Sequence, residues 1–145
     1  IAGMGEAATI VRAKIADESP RLAALRDRLE DGILRSLPGT AINGGRSPRG
    51  ANTTKISFDR IEAESLLIAL DLGGVGVSTG SAWSSGTLEA SHVLKAMGFP
   101  AQRTQNSIRF SLGAANTEAE IDRVVAILPG IVEKLRNLTR VPVRA

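Results

Sequence analysis

The sequence predicts an α/β (α+β) domain, a small antiparallel or mixed sheet of three to four strands packed with helices. Three observations carry this. Between Ser107 and Leu112, apolar Ile108, Phe110 and Leu112 alternate with Ser107, Arg109 and Ser111, the two-residue period of a half-buried strand. Leu22, Leu25, Leu29 and Ile33 recur at spacings of three and four, one stripe of an amphipathic helix. Between and after these patterns, short strand-like runs interleave with helical ones, and the chain closes on a helix. At 145 residues the chain is long enough for a single domain, 1–145, with a core of its own.

Taken in order, residues 4–16 form an Ala-rich, proline-free, helix-compatible segment. Ser19-Pro20 reads as an N-cap followed by proline at the first position of a second helix. That helix carries the Leu22–Ile33 stripe and ends near Leu37-Pro38-Gly39. Gly39 to Gly50 is turn-rich around a short segment, Thr40 to Asn43. Thr53 to Phe58, with Ile56 and Phe58, reads as a strand. Ala63 to Leu70 is a helix with Leu66, Leu67 and Leu70 inward, and Val75 to Ser78 is a short strand. Ser91 is placed to cap an amphipathic helix with Val93, Leu94 and Met97 on one side, stopped by Gly98. Gly98 to Gln105 is connection. Thr117 and Glu120 match a capping box opening a helix that buries Ile121, Val124, Val125, Leu128, Ile131, Val132 and Leu135. Pro129 should kink that helix, and the tail after Leu138 should fray.

Composition narrows the chemistry. The chain is 43% hydrophobic and 23% charged, ordinary globular material, with a core to be built from Leu, Ile, Val and Ala. It has no cysteine, which excludes disulfides, thiolate metal sites and thiol nucleophiles. A single histidine, His92, argues against a His-based metal site or a Ser-His-Asp triad. Net charge is +3, but the charges are dispersed. Arg26, Asp27, Arg28, Glu30 and Asp31 mix both signs, as on a solvated helix face. No nucleic-acid partner is expected, and with no apolar run of about 18 residues, no membrane span. The start lacks both a signal-peptide pattern and an initiator Met, so the chain is read as a piece of something longer. Gly73 to Gly76 has neither the spacing of a dinucleotide loop nor the Gly-Lys-(Ser/Thr) of a phosphate loop.

The chain is organised around Val75 to Phe99, where an apolar run gives way to a loop of small polar residues before a helix start. Gly80, Ser81, Ala82, Ser84, Ser85 and Gly86, followed by Leu88, Glu89, Ser91, His92, Val93 and Leu94, resemble the active-site loop of the cysteine desulfurases. These are PLP-dependent enzymes of the class V aminotransferase group. Their loop reads Ser-Gly-Ser-Ala-Cys-(Ser/Thr)-Ser-Gly, and Trp83 stands here in place of the catalytic cysteine. The likeness extends to Asn52, Ile56, Ser57 and Phe58, to the helix around Leu66 and Leu70, to Ser107–Gly113, and to Ile1-Ala2-Gly3.

The resemblance implies the small C-terminal domain of a fold-type I PLP enzyme, with the PLP-binding large domain absent. It places the substrate-carboxylate arginine at Arg109. A planar guanidinium suits that role, the alternative being a surface Arg on a polar strand face. Asn52 is a second substrate-binding candidate, or a turn-stabilising Asn. His92 is a capping or packing residue. In the parent reaction a loop thiolate attacks the sulfur of cysteine activated by PLP, leaving alanine and a protein persulfide. Small loop residues give that loop its mobility. Trp83 cannot carry a persulfide, so it marks a paralogue with changed activity, an altered residue or a different nucleophile; it otherwise packs or anchors an interface. Lys14, Lys55, Lys95 and Lys134 read as surface charges, none at the Schiff-base position, so this piece alone is expected to bind no PLP and no metal. The complete enzyme would be a cytoplasmic homodimer passing sulfur to an acceptor or iron–sulfur scaffold protein. The alternatives are a PLP-dependent cysteine or cystine lyase and a non-catalytic docking domain.

Overall fold

The computed structural model describes residues 1–45, 48–80 and 91–138. Helix α1 (Ala2–Ser36) leads into strand β1 (Thr40–Ile42), strand β2 (Thr53–Phe58) and helix α2 (Ala63–Leu72). Two short helices, α3 (His92–Ala96) and α4 (Ala101–Gln105), precede strand β3 (Ser107–Ser111) and the closing helix α5 (Glu118–Leu138). The sheet is antiparallel in the order β1-β2-β3, with Ile42 opposite Ile56 and Ile56 opposite Ile108.

The period of two predicted for β3 sorts the sheet into two unlike faces. Thr54, Ile56, Phe58, Ile108 and Phe110 point to the core and are buried. They meet Leu25, Leu29 and Ile33 of α1, Leu66 and Leu70 of α2, and Ile121, Leu128 and Val132 of α5. The opposite face carries Lys55, Ser57, Ser107 and Arg109. Helices α1 and α5 close the core side, and they touch closely because Gly32 has no side chain. A Cβ there would stand 2.6 Å from a Val125 methyl. The Thr117–Glu120 capping box forms as the spacing predicts, with the Thr117 amide donating to Glu120 Oε2 at 2.9 Å and the Glu120 amide to Thr117 Oγ1 at 3.3 Å.

Several expectations are corrected. The two N-terminal helices are one, and α1 runs straight through Pro20. Proline there removes the donor for the Ala16 carbonyl. Both residues face solvent, where water can take that role. All of residues 1–17 are exposed, including Ile10, Val11 and Ile15, so the first half of α1 rests on nothing in the described structure. Glu30, read as part of a solvated face, is 5% exposed and pairs with Arg49 at 2.6 Å. Val75 to Ser78 is no strand; only Ser78 bridges to the sheet. In α3 Leu94 alone is buried, while Val93 and Met97 are exposed, because a five-residue helix offers too short a stripe to cover both. Ser91 sits at its N-cap without a side-chain hydrogen bond. Gly98, at φ +80°, ends α3 as predicted: its amide and that of Phe99 return to the carbonyls of Lys95 and Leu94. The connection after it contains α4. Helix α5 passes through Pro129, and the tail after Leu138 lies outside the described residues. No described helix is long and apolar enough to cross a membrane.

Candidate functional site

Arg109 lies mid-strand in β3, on the polar face. Its amide donates to the Ser78 carbonyl at 2.6 Å, and the Ser78 amide returns the bond at 3.1 Å. This pair ties Ser78 to the strand that carries the arginine. The Ser78 hydroxyl then accepts from the Gly80 amide at 2.9 Å, holding the turn in which Gly80 takes φ +83°. That conformation favours glycine. A Cβ on Gly80 would stand 3.0 Å from Lys55 Nζ, so the ammonium would have to shift to admit it.

Lys55 is the cross-strand partner of Arg109. Directly opposed residues on one sheet face have Cβ atoms about 4.5–5.5 Å apart. Partial burial holds the Lys55 ammonium below the usual lysine range, and the neighbouring Arg109 charge lowers it further. The Nε of Arg109 is buried with no hydrogen-bond partner among the described residues. The structure thus brings Arg109, Gly80 and Lys55 together. Lys55, read from sequence as a surface charge, belongs to this cluster. Its signal was available: it sits one residue before Ile56, on the strand face opposite the apolar positions.

The other predicted residues fall elsewhere or outside. Asn52 precedes β2 and is exposed, and its side-chain amide donates to the Leu112 carbonyl at 3.1 Å. Its own carbonyl accepts from the Leu112 amide at 2.8 Å, so it fastens the far end of the β2–β3 pair. His92 is exposed at the first position of α3. Ser81, Ala82, Trp83, Ser84, Ser85 and Gly86 lie outside the described residues.

One polar cluster escaped the sequence. Arg103 of α4 donates through Nε to Asn43 Oδ1 at 2.7 Å and through Nη2 to the Ile42 carbonyl at 3.1 Å. Asn43 Nδ2 donates to Ser107 Oγ, which donates to the Arg103 carbonyl. The ring of bonds buries Asn43 and Ser107 and stacks Arg103 over Phe99, 4.3 Å from its centroid. It pins α4 across the polar sheet face beside Lys55 and Arg109. Nothing in the local pattern joins residues 43, 103 and 107.

The sequence profile described as Aminotransferase class-V matches residues 1–124, and the chain belongs to that family. Its relatives include "Cysteine desulfurase 2" of Trichormus variabilis, 48% identical over 94% of this chain and 34% of the relative. "Cysteine desulfurase" of Rhodobacter capsulatus is 48% identical over 100% of this chain and 37% of its own length. Among solved structures, a NifS-like protein from Rickettsia africae superposes with TM-score 0.79 and 30% identity, over 91% of this chain and 34% of that one. The chain therefore spans about a third of the length of these relatives.

Proposed function

We propose that this chain is the C-terminal small domain of a cysteine-desulfurase-like PLP enzyme converting L-cysteine to L-alanine with transfer of sulfur. Arg109 holds the substrate carboxylate, and the Gly80–Gly86 loop approaches the substrate sulfur. One observation carries this reading. Arg109 presents a guanidinium on the polar face whose buried Nε has no hydrogen-bond partner among the described residues, and its backbone hydrogen-bonds Ser78. A guanidinium so placed grips a carboxylate through paired N–H donors. Because Ser78 bonds to the same residue, loop root and anchor keep a fixed spacing. Asn52 supports the anchor by locking the β2–β3 pair.

PLP, which supplies the electron sink in such enzymes, does not fit the described residues alone. Lys14, Lys95 and Lys134 are exposed, and Lys55 lies against Arg109 and Gly80. The reading assigns the cofactor to a large domain matching the remaining two thirds of the relatives. That domain would pack on the exposed first half of α1, covering Ile10, Val11 and Ile15. The complete enzyme is read as a cytoplasmic homodimer working with a sulfur-acceptor or iron–sulfur scaffold protein. Names among the relatives, such as "Cysteine desulfurase IscS" of Methanosarcina thermophila, support the class.

Trp83 favours a second reading, a PLP-dependent cysteine or cystine lyase that needs no loop thiol, because an indole cannot form a persulfide. One experiment separates the two. In the full-length protein, Trp83→Cys should raise sulfide release from cysteine in the presence of a reductant. Sulfide release by the Trp form at a rate equal to the Cys form would reject the sulfur-carrying loop and favour the lyase.

A further inference from the structure

We propose that Lys55 and Arg109 form a two-cation seat for one small carboxylate, with Lys55 a binding residue in its own right. This rests on the reading of Arg109 as a carboxylate anchor and adds a second contact to it. The two residues are directly opposed across β2 and β3. Like charges in that arrangement are destabilising, and sheets ordinarily oppose charges of different sign. Here the pair is also partly buried, and burial raises the cost of charge without a counter-charge.

Four arginines of the domain are treated differently, and Lys14, Lys95 and Lys134, which meet no carboxylate among the described residues, are exposed. Arg21, Arg26, Arg28 and Arg49 each meet a carboxylate, in four cases out of the five ion pairs at 3.0 Å or less. Among the described residues neither Lys55 nor Arg109 does. The cost is kept at one place on the sheet, at the root of the loop, where Gly80 leaves room for the ammonium. An arriving carboxylate removes both penalties at once. It neutralises the repulsion and gives the Arg109 guanidinium a counter-charge that no described residue supplies. The guanidinium sets the plane of the carboxylate, and the ammonium, a compact point charge, needs no particular plane and completes the seat. Lys55 thereby raises affinity for any small carboxylate, whereas Arg109 sets its orientation.

The test follows lysine side-chain carbon resonances in the 145-residue chain, titrated with sodium acetate against sodium chloride at constant ionic strength. Acetate should shift the Lys55 resonance and raise its titration midpoint, leaving Lys14, Lys95 and Lys134 unmoved. Lys55→Met should weaken acetate binding about fivefold or more, the size of a lost charge-assisted contact, and Lys55→Arg should restore most of it. Amide dispersion of each variant confirms that it is folded. Loss of binding in Arg109→Gln with no loss in Lys55→Met would overturn the two-cation seat and leave Arg109 as sole anchor. No loss in Arg109→Gln would reject the anchor reading itself. Inorganic phosphate competing with acetate at far lower concentration would overturn the carboxylate assignment.

Discussion

At Lys55 the polypeptide accepts a local loss. The ammonium titrates below the usual lysine range in the folded chain, owing to burial first and Arg109 second. The unfolded chain therefore binds more protons between the lowered value and about 10.4, and stability rises with pH across that window. Below the window the charged lysine is a standing penalty. Lys55→Met should accordingly raise the melting temperature at pH 7, with the advantage shrinking as pH passes 10. An unchanged melting temperature would mean that solvent screens the charge fully. Arg103 shows the opposite balance. Arg103→Ala strands the Ile42 carbonyl and Asn43 Oδ1, the latter in a residue 7% exposed. Leaving such groups unpaired costs about 1–3 kcal/mol, measurable by urea unfolding. Arg103→Lys should recover only part, since one ammonium cannot reproduce the guanidinium fork. The sequence offered Arg109 through its place in an alternating strand. Alternation also put Lys55 on the polar strand face, but its partner Arg109, like the Arg49 that meets Glu30, is set by what lies opposite in space and could not be read along one segment.

Elements were legible where a pattern stays local. Strand β2 and the capping box of α5 coincide with their predictions because alternation and a three-residue spacing are read within one stretch. Failures came where a neighbour decides. Pro20 reads locally as a helix start, yet the helix runs through it at a point where Pro20 and Ala16 are both exposed to solvent. The α1–α5 crossing yields a sharp expectation. An alanine normally stabilises a helix interior by about 1 kcal/mol over glycine. At Gly32 the added methyl meets both Val125 methyls, 2.6 and 2.9 Å away. Overpacking of this kind costs about 1–3 kcal/mol, so Gly32→Ala should be net destabilising. Combining it with Val125→Ala should remove the clash, a coupling that a double-mutant cycle measures. At the N-terminal end of α5, the Thr117 amide holds Glu120 below the usual carboxylate range, and Arg28 does the same for Asp122. Folded values below unfolded ones stabilise above about pH 5, and that contribution disappears as pH falls through the region of 4 and lower. Thermal melts from pH 6 to 3 should show the decline, and Glu120→Gln should flatten it.

For the whole molecule, the division of one sheet into an apolar and a polar face was foreseeable from Ile108, Arg109 and Phe110 alone. The dispersed positive charge was not correctly read as solvation only. Arg21, Arg26, Arg123 and Arg136 donate to backbone carbonyls outside the strands and Arg103 to the end of β1, so the basic residues also tie distant segments together. Core stability should be concentrated behind the sheet: Phe58, fully buried, should cost about 3–5 kcal/mol on truncation to alanine. By contrast, residues 2–17 of α1 are all exposed among the described residues, and helices of that length without tertiary packing are marginal in water. Their amides should exchange with solvent deuterium far faster than those of Leu25 to Ile33, and equal protection would contradict the exposure described. The same half-helix has a mechanical consequence. At 1.5 Å per residue it is a rod of about 25 Å, clamped only beyond Pro20, so a 10° swivel at the clamp sweeps its tip through roughly 4 Å. Held firm at that tip, the rod would transmit the same leverage in reverse, converting small shifts there into fine adjustment of the sheet.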